Sequence, residues 1–178
     1  MSLNSHPNRF AVFLAQVTLL GVIALPLSAV AIWLFWDQFA NLAIGNLQHP
    51  YDVTDLSLEA RLAGCALFLF GACLQAYGLL GVRQTFLEAA KGNALSARSV
   101  EGFRRFAWVS LSMVFVGIAQ HTGLIILFSL SDPAHQGALS VQVGSEEVKA
   151  LFMALLLVFI AHVFAEGRSA KEENETFL

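Results

Sequence analysis

Histidine and carboxylate are the side chains of this sequence best suited to chemistry, so their spacing comes first. Imidazole together with a carboxylate suits Zn²⁺. His49, His121, His135 and Asp132 would all fall toward one end of the molecule. They come from separate contexts with no ligand spacing, so solvated loop histidines are the plainer reading. Imidazole's ordinary pKa would also serve a pH response. Haem ligation by His121 and His162 fails on height. Measured from one end of their helices they stand about 22 Å and about 6 Å in, and one iron cannot take both. Cys65 and Cys73, on one helix, are about 12 Å apart along its axis and cannot bridge. The chain has no G-x-S-x-G, H-E-x-x-H, C-x-x-C or phosphate loop. The expectation is a protein that is not an enzyme and carries no cofactor and no catalytic residue.

The elements that would position these groups are set by hydrophobicity. Of 178 residues, 57% are hydrophobic and 13% charged, where a soluble domain carries about 25% charged residues. The mean hydropathy is +0.66. About 20 apolar residues cross the hydrocarbon core as a helix. Four stretches qualify, at about 10–36, 62–82, 106–130 and 148–166. The first three contain no Asp, Glu, Lys or Arg. In the fourth, Lys149 and Glu166 stand at the ends, where they can snorkel. The first is too long for a cleaved signal, and no small-residue cleavage pattern follows it. The expected fold is an all-α integral membrane protein, one domain built as a four-helix transmembrane bundle.

The connections differ in charge. Arg9, Arg83, Lys91, Arg98, Arg104, Arg105, Arg168 and Lys171 fall on one side, and only Arg61 and Lys149 on the other. The positive-inside rule then makes both termini, the hairpin 83–105 and the tail 167–178 cytoplasmic. The outer segments 37–60 and 131–147 read as a small cap. "HPYDVTD" marks a turn, and the alternation in "ALSVQVG" suggests that short β-strands pair there. Ser145, Glu146 and Glu147 read as the start of the fourth helix.

Within the spans, Pro26 should bend the first helix, and Trp33, Phe35 and Trp36 read as an interfacial belt. Gly64, Gly71 and Gly78 recur every seven residues and make a smooth groove for helix packing. Ser110 and Gly117 repeat that spacing on the third helix. Packing inside one bundle is the simpler use of the groove; a homo-oligomer face is the other. Gln16, Gln75 and His162 lie at similar depth and could join in one hydrogen-bonded intramembrane cluster. Interhelical glue is its plain role, and a small-molecule or ion site its sharper one. Gln120 and His121 sit toward the outer end of the third helix. No span holds a buried carboxylate, and no inverted repeat is evident.

The hairpin reads "GVRQTFLEAAKGNALSARSVEGFRRFAW". The second helix continues past the membrane. "KGN" breaks it, with Gly92 or Asn93 in the left-handed cap, and Ser96 caps the next helix. The stretch 86–105, with its K-G-N turn and closing F-R-R-F, resembles a bacterial family of small four-helix membrane proteins, the domain of unknown function 2975. The ending "VFAEGRSAKEENETFL" is similar to that family's closing signature. The resemblance implies the plasma (inner) membrane of a bacterium, and a partner that is a small helix-turn-helix regulator. It brings no catalytic residue.

Both stretches belong to the cytoplasmic side. The basic residues Arg83, Lys91, Arg98, Arg104 and Arg105 stand beside a tail bearing Glu172, Glu173 and Glu175. The fourth helix is expected to reach about residue 174 and to pack on the hairpin, anchored by Phe177 and Leu178 on Phe86 or Leu87. The expected function is a non-enzymatic multi-pass protein that presents this surface to a partner, as a sensor or sequestering module for a transcriptional regulator. An accessory subunit of a larger membrane complex is the alternative. Membrane lipid is the surrounding partner. Direct nucleic-acid binding is not expected, because the basic loop is short and interrupted by acids.

Overall fold

The computed structural model describes residues 8–39, 56–131 and 144–176. They form four long helices: α1 (Arg9–Leu34), α2 (Leu58–Ala90), α3 (Ala97–Ser131) and α4 (Ser145–Thr176). All four are long and apolar enough to cross a membrane. At 1.5 Å per residue, α2 and α3 reach about 50 Å, against a hydrocarbon core of about 30 Å. Both outrun the spans 62–82 and 106–130 at the hairpin end. Among the described residues there is no strand; most of the two outer segments expected to pair lies outside them.

Local sequence explains where each helix starts. Asn8 caps α1, its side chain accepting from Phe10 N–H at 3.2 Å. Ser57 caps α2, accepting from Ala60 N–H at 3.2 Å. Before α4, the Glu147 carboxylate reaches back to the Gly144 N–H at 2.7 Å, the acidic half of a capping box. Helix α1 runs on through Pro26.

The helices lie as an open row. Among the described residues, the backbone of α1 packs on α2, that of α2 on α3 and that of α3 on α4, and no other two helix backbones come together. The four apolar helices fit the expected membrane bundle, and within it they are ordered as a row whose edges are α1 and α4. The distribution of small residues supplies the reason. Backbones approach closely where side chains are absent, and the glycines that seat a neighbouring helix belong chiefly to α2 and α3, at Gly64, Gly71, Gly78, Gly81, Gly102 and Gly123. On α4, Gly167 faces open space. Large apolar side chains such as Phe13, Leu20, Phe70, Phe115 and Phe159 stand exposed along the row, as befits an apolar surrounding.

The core sits at the end of the row away from the hairpin. Trp33, Trp36, Leu56, Ala60, Leu124 and Phe128 form one buried cluster, flanked by Cys65, Phe68 and Leu127. The Trp33 and Trp36 rings stack 4.8 Å apart, Phe68 meets Trp33 edge-on at 5.9 Å, and Phe128 meets Trp36 at 5.9 Å. The aromatic belt is corrected accordingly. Only Phe35 of the three faces outward, while Trp36 is 1% exposed. Gly64 is the cause, because its missing side chain leaves a seat on α2 into which the Trp33 indole fits.

Candidate functional surface at the hairpin end

The hairpin is built by a complete helix stop and start. α2 ends at Ala90, and Gly92 takes a left-handed φ of 81°. The Asn93 N–H donates to the Glu88 carbonyl and the Gly92 N–H to the Ala89 carbonyl, both at 3.0 Å. These two bonds are the Schellman motif. Ser96 then starts α3, its hydroxyl accepting from Ser99 N–H at 3.2 Å. Gly92 and Ser96 thus occupy the positions the sequence suggested.

Glu88 organises this turn. Its carboxylate accepts from Lys91 Nζ at 2.9 Å and from the Ser96 hydroxyl at 3.4 Å. It lies on the part of α2 beyond the span. The Lys91 hydrogen bond holds its carboxyl below the ordinary carboxylate range, with burial opposing and Ser96 and Arg98 assisting. Just above, the α2 and α3 backbones touch. A Cβ on Gly81 would collide with the Gly102 carbonyl, and one on Gly102 with the Gly81 carbonyl. The Thr85 hydroxyl bridges the crossing, donating to the Ser99 carbonyl at 2.9 Å and the Gly81 carbonyl at 3.2 Å. The Asn8 N–H donates to the Ala90 carbonyl at 3.3 Å, which brings the start of α1 to the same end.

The basic residues expected to form a surface divide. Lys91 is engaged by Glu88. Arg104 pairs with Glu101 at 2.8 Å. The Arg105 guanidinium lies 5.0 Å above the Tyr77 ring. Arg98 is exposed. Arg83 is half-buried, and its Nε has no hydrogen-bond partner among the described residues. On α4, Arg168 grips Glu172 through Nε and Nη2 at 2.8 and 2.6 Å. Glu173 is exposed, and Glu175 lies in the last turn of the helix. Among the described residues α4 meets the hairpin through its α3 arm, where Phe164 packs on Phe103 at 5.2 Å. The proposed anchor residues Phe177 and Leu178 lie outside the described residues.

The other expected sites fare differently. Gln16, Gln75 and His162 are not brought into one cluster, because α4 meets neither α1 nor α2. Gln16 is exposed, and His162 turns outward to Glu166 at 3.2 Å. Gln120 does bridge helices within the spans, donating to the Leu67 carbonyl at 2.8 Å across the space above Gly71. Of the outer histidine and aspartate set, His49, Asp132 and His135 lie outside the described residues. His121 is half-buried, within electrostatic reach of Glu147. Among the described residues, no three His, Cys, Asp or Glu side chains come close enough to hold a metal. Gly64, Gly71 and Gly78 are all occupied from within the chain, by Trp33, Gln120 and Val109 respectively. Gly117 opens onto empty space.

Sequence reasoning passed over Glu88, Thr85 and the Gly81–Gly102 contact. A signal for them existed. In an antiparallel helical hairpin, residues at similar distances on either side of the turn face each other, and these residues flank the turn in that way.

Fold and surface together define a multi-pass helical membrane protein. No family model, no curated protein and no solved structure matches the chain.

Proposed function

We propose that this protein is a non-enzymatic membrane protein that presents the end of the row formed by the hairpin and α4 to a cytoplasmic protein partner. One observation carries the reading: α2, α3 and α4 all continue past their spans as ordered helices, and the turn between α2 and α3 is capped at both sides. A loop needed only for connection would not require this structure. The excess of Lys and Arg at this end supports a cytoplasmic orientation for the hairpin and both termini. A bacterial inner-membrane setting, membership of the domain-of-unknown-function 2975 family and a transcriptional regulator as the partner rest on the resemblance of 86–105 and 164–176. They are part of the proposal.

A second reading, an accessory subunit of a larger membrane complex, is favoured by the α4 edge. There His162, inside the span, stands outward and is 71% exposed. Polar side chains on an edge facing lipid are costly, and a neighbouring transmembrane helix would relieve them. Photo-crosslinking in native membranes separates the two. A probe at Glu173 that traps a soluble protein supports the first reading. A probe at Phe159 that traps an integral protein supports the second. Lipid alone at both positions overturns both.

A further inference from the structure

A groove of about 390 Å³ opens between α2 and α3, lined by Tyr77, Glu101, Arg104, Arg105, Trp108 and Val109. It falls within the size range of small-ligand sites. Its height in the membrane is informative. Tyr77 lies about 8 Å inside the hairpin-side end of the span 62–82, and Trp108 about 3 Å inside that of 106–130. Arg104 and Arg105 lie just beyond. The groove therefore straddles the boundary between acyl chains and headgroups. Its floor is set by the close approach of Val109 to Gly78.

We propose that this groove binds the phosphate of an anionic phospholipid in the leaflet at the hairpin end. The lining holds two arginines and one glutamate. Arg104 takes up the Glu101 carboxylate at 2.8 Å, which leaves that carboxylate satisfied and poorly placed to receive an ammonium headgroup. Arg105 is oriented by the Tyr77 face at 5.0 Å and has no carboxylate partner among the described residues. Its planar fork of donors matches phosphate oxygens. Basic pockets between transmembrane helices on the cytoplasmic side are suited to such headgroups. Tyr77 and Trp108, 50% and 55% exposed, supply apolar surface directly beneath the charge. A free phosphate has no use for that surface, whereas a glycerol backbone and acyl chain do.

The test is lipid retention by the purified full-length chain in detergent, read by native mass spectrometry. Phosphatidylglycerol, phosphatidylethanolamine and phosphatidylcholine are offered in equal amounts, with inorganic phosphate as a separate arm. Phosphatidylglycerol should be retained preferentially, and millimolar phosphate should not displace it. Arg105→Gln should lower its retention about tenfold, the effect of losing one charge-assisted hydrogen bond, and leave phosphatidylcholine unchanged. Arg9→Gln, the same charge change at the same end but outside the groove, should have little effect. Arg105→Lys, which keeps the charge and loses the fork, should fall between the wild type and Arg105→Gln. It serves in place of Arg105→Gln if that variant's thermal unfolding shows that it does not fold. Equal retention of the three lipids would overturn the proposal. So would displacement by phosphate, an equal loss in Arg9→Gln, or wild-type retention by either Arg105 variant.

Discussion

Along α2 and α3 the backbones approach until the carbonyls of Gly81 and Gly102 fill the space a Cβ would need. Helix α4 is held differently. It rests on α3 alone, through Phe164 against Phe103 and through the small buried residues Ala154 and Ala161. Both regions are apolar enough to enter a membrane, so hydrophobicity does not distinguish them. In lipid, apolar side chains gain little by leaving one apolar medium for another, and association depends on close packing and interhelical hydrogen bonds. α2 and α3 have both, in the glycine seats and the Thr85 and Gln120 bonds, and α1 is seated closely on α2 by Trp33 at Gly64. α4 has little of either, so it should be the first helix to separate.

The centre and the edge of the row differ most at their glycines. Gly81→Leu or Gly102→Leu would drive a side chain into a backbone carbonyl, which cannot swing away. The loss should exceed about 4 kcal/mol and leave no monodisperse folded protein on size exclusion in mild detergent. Gly167→Leu on α4, facing open space, should fold normally and gain slightly from leucine's better helix propensity, by under about 1 kcal/mol. If all three substitutions behaved alike, the distinction between centre and edge would be lost.

Next in size is the tryptophan cluster. Trp33→Ala empties the seat above Gly64 and should cost about 3–5 kcal/mol in chemical unfolding. Phe159→Ala, a large residue on the exposed face of α4, should cost little. A comparable loss at Phe159 would show that the α4 face is buried by a partner in the preparation. Smaller still is Phe164→Ala, which removes the ring contact with Phe103 and should cost about 1 kcal/mol. Its signature is local: hydrogen exchange should quicken in α4 while α2 and α3 stay protected. Uniform quickening would mean that the four helices unfold as one unit.

The four apolar helices, the Gly92 break and the Ser96 cap were legible, because each depends on local chemistry that one stretch of chain contains. Packing order was less legible. Four apolar stripes are compatible with a closed bundle or an open row, and the choice turns on which glycines find partners. Gly71 and Gly117 look alike in sequence, yet one receives Gln120 and the other faces empty space. The tryptophans misled for a related reason. An indole near a helix end suits the interface by default, and only the opposing Gly64 turns it inward. His162 could not be placed before it was known that α4 meets neither α1 nor α2.

The smallest effect, and the one that sharpens the account of the hairpin end, concerns Glu88. Its side chain joins the end of α2 to Lys91 and to the Ser96 cap of α3. Glu88→Gln keeps the shape and one acceptor, so at neutral pH the variant should unfold only slightly earlier than the wild type. Acid makes the difference diagnostic. The Lys91 hydrogen bond lowers the folded-state pKa of Glu88 from its ordinary 4.5. A depressed carboxyl contributes stability that is present above the unfolded-state pKa and lost as pH falls through the folded-state pKa. The gap between wild type and Glu88→Gln should therefore be constant above about pH 5 and close as the pH drops below 4.5, because the variant has no proton to take up at this position. Thermal unfolding of both proteins in detergent from pH 7 to pH 3 measures it. A gap that persists unchanged into acid would remove the carboxylate's charge from the account of the turn, leaving Gly92 and the Ser96 cap to hold the two helices in register.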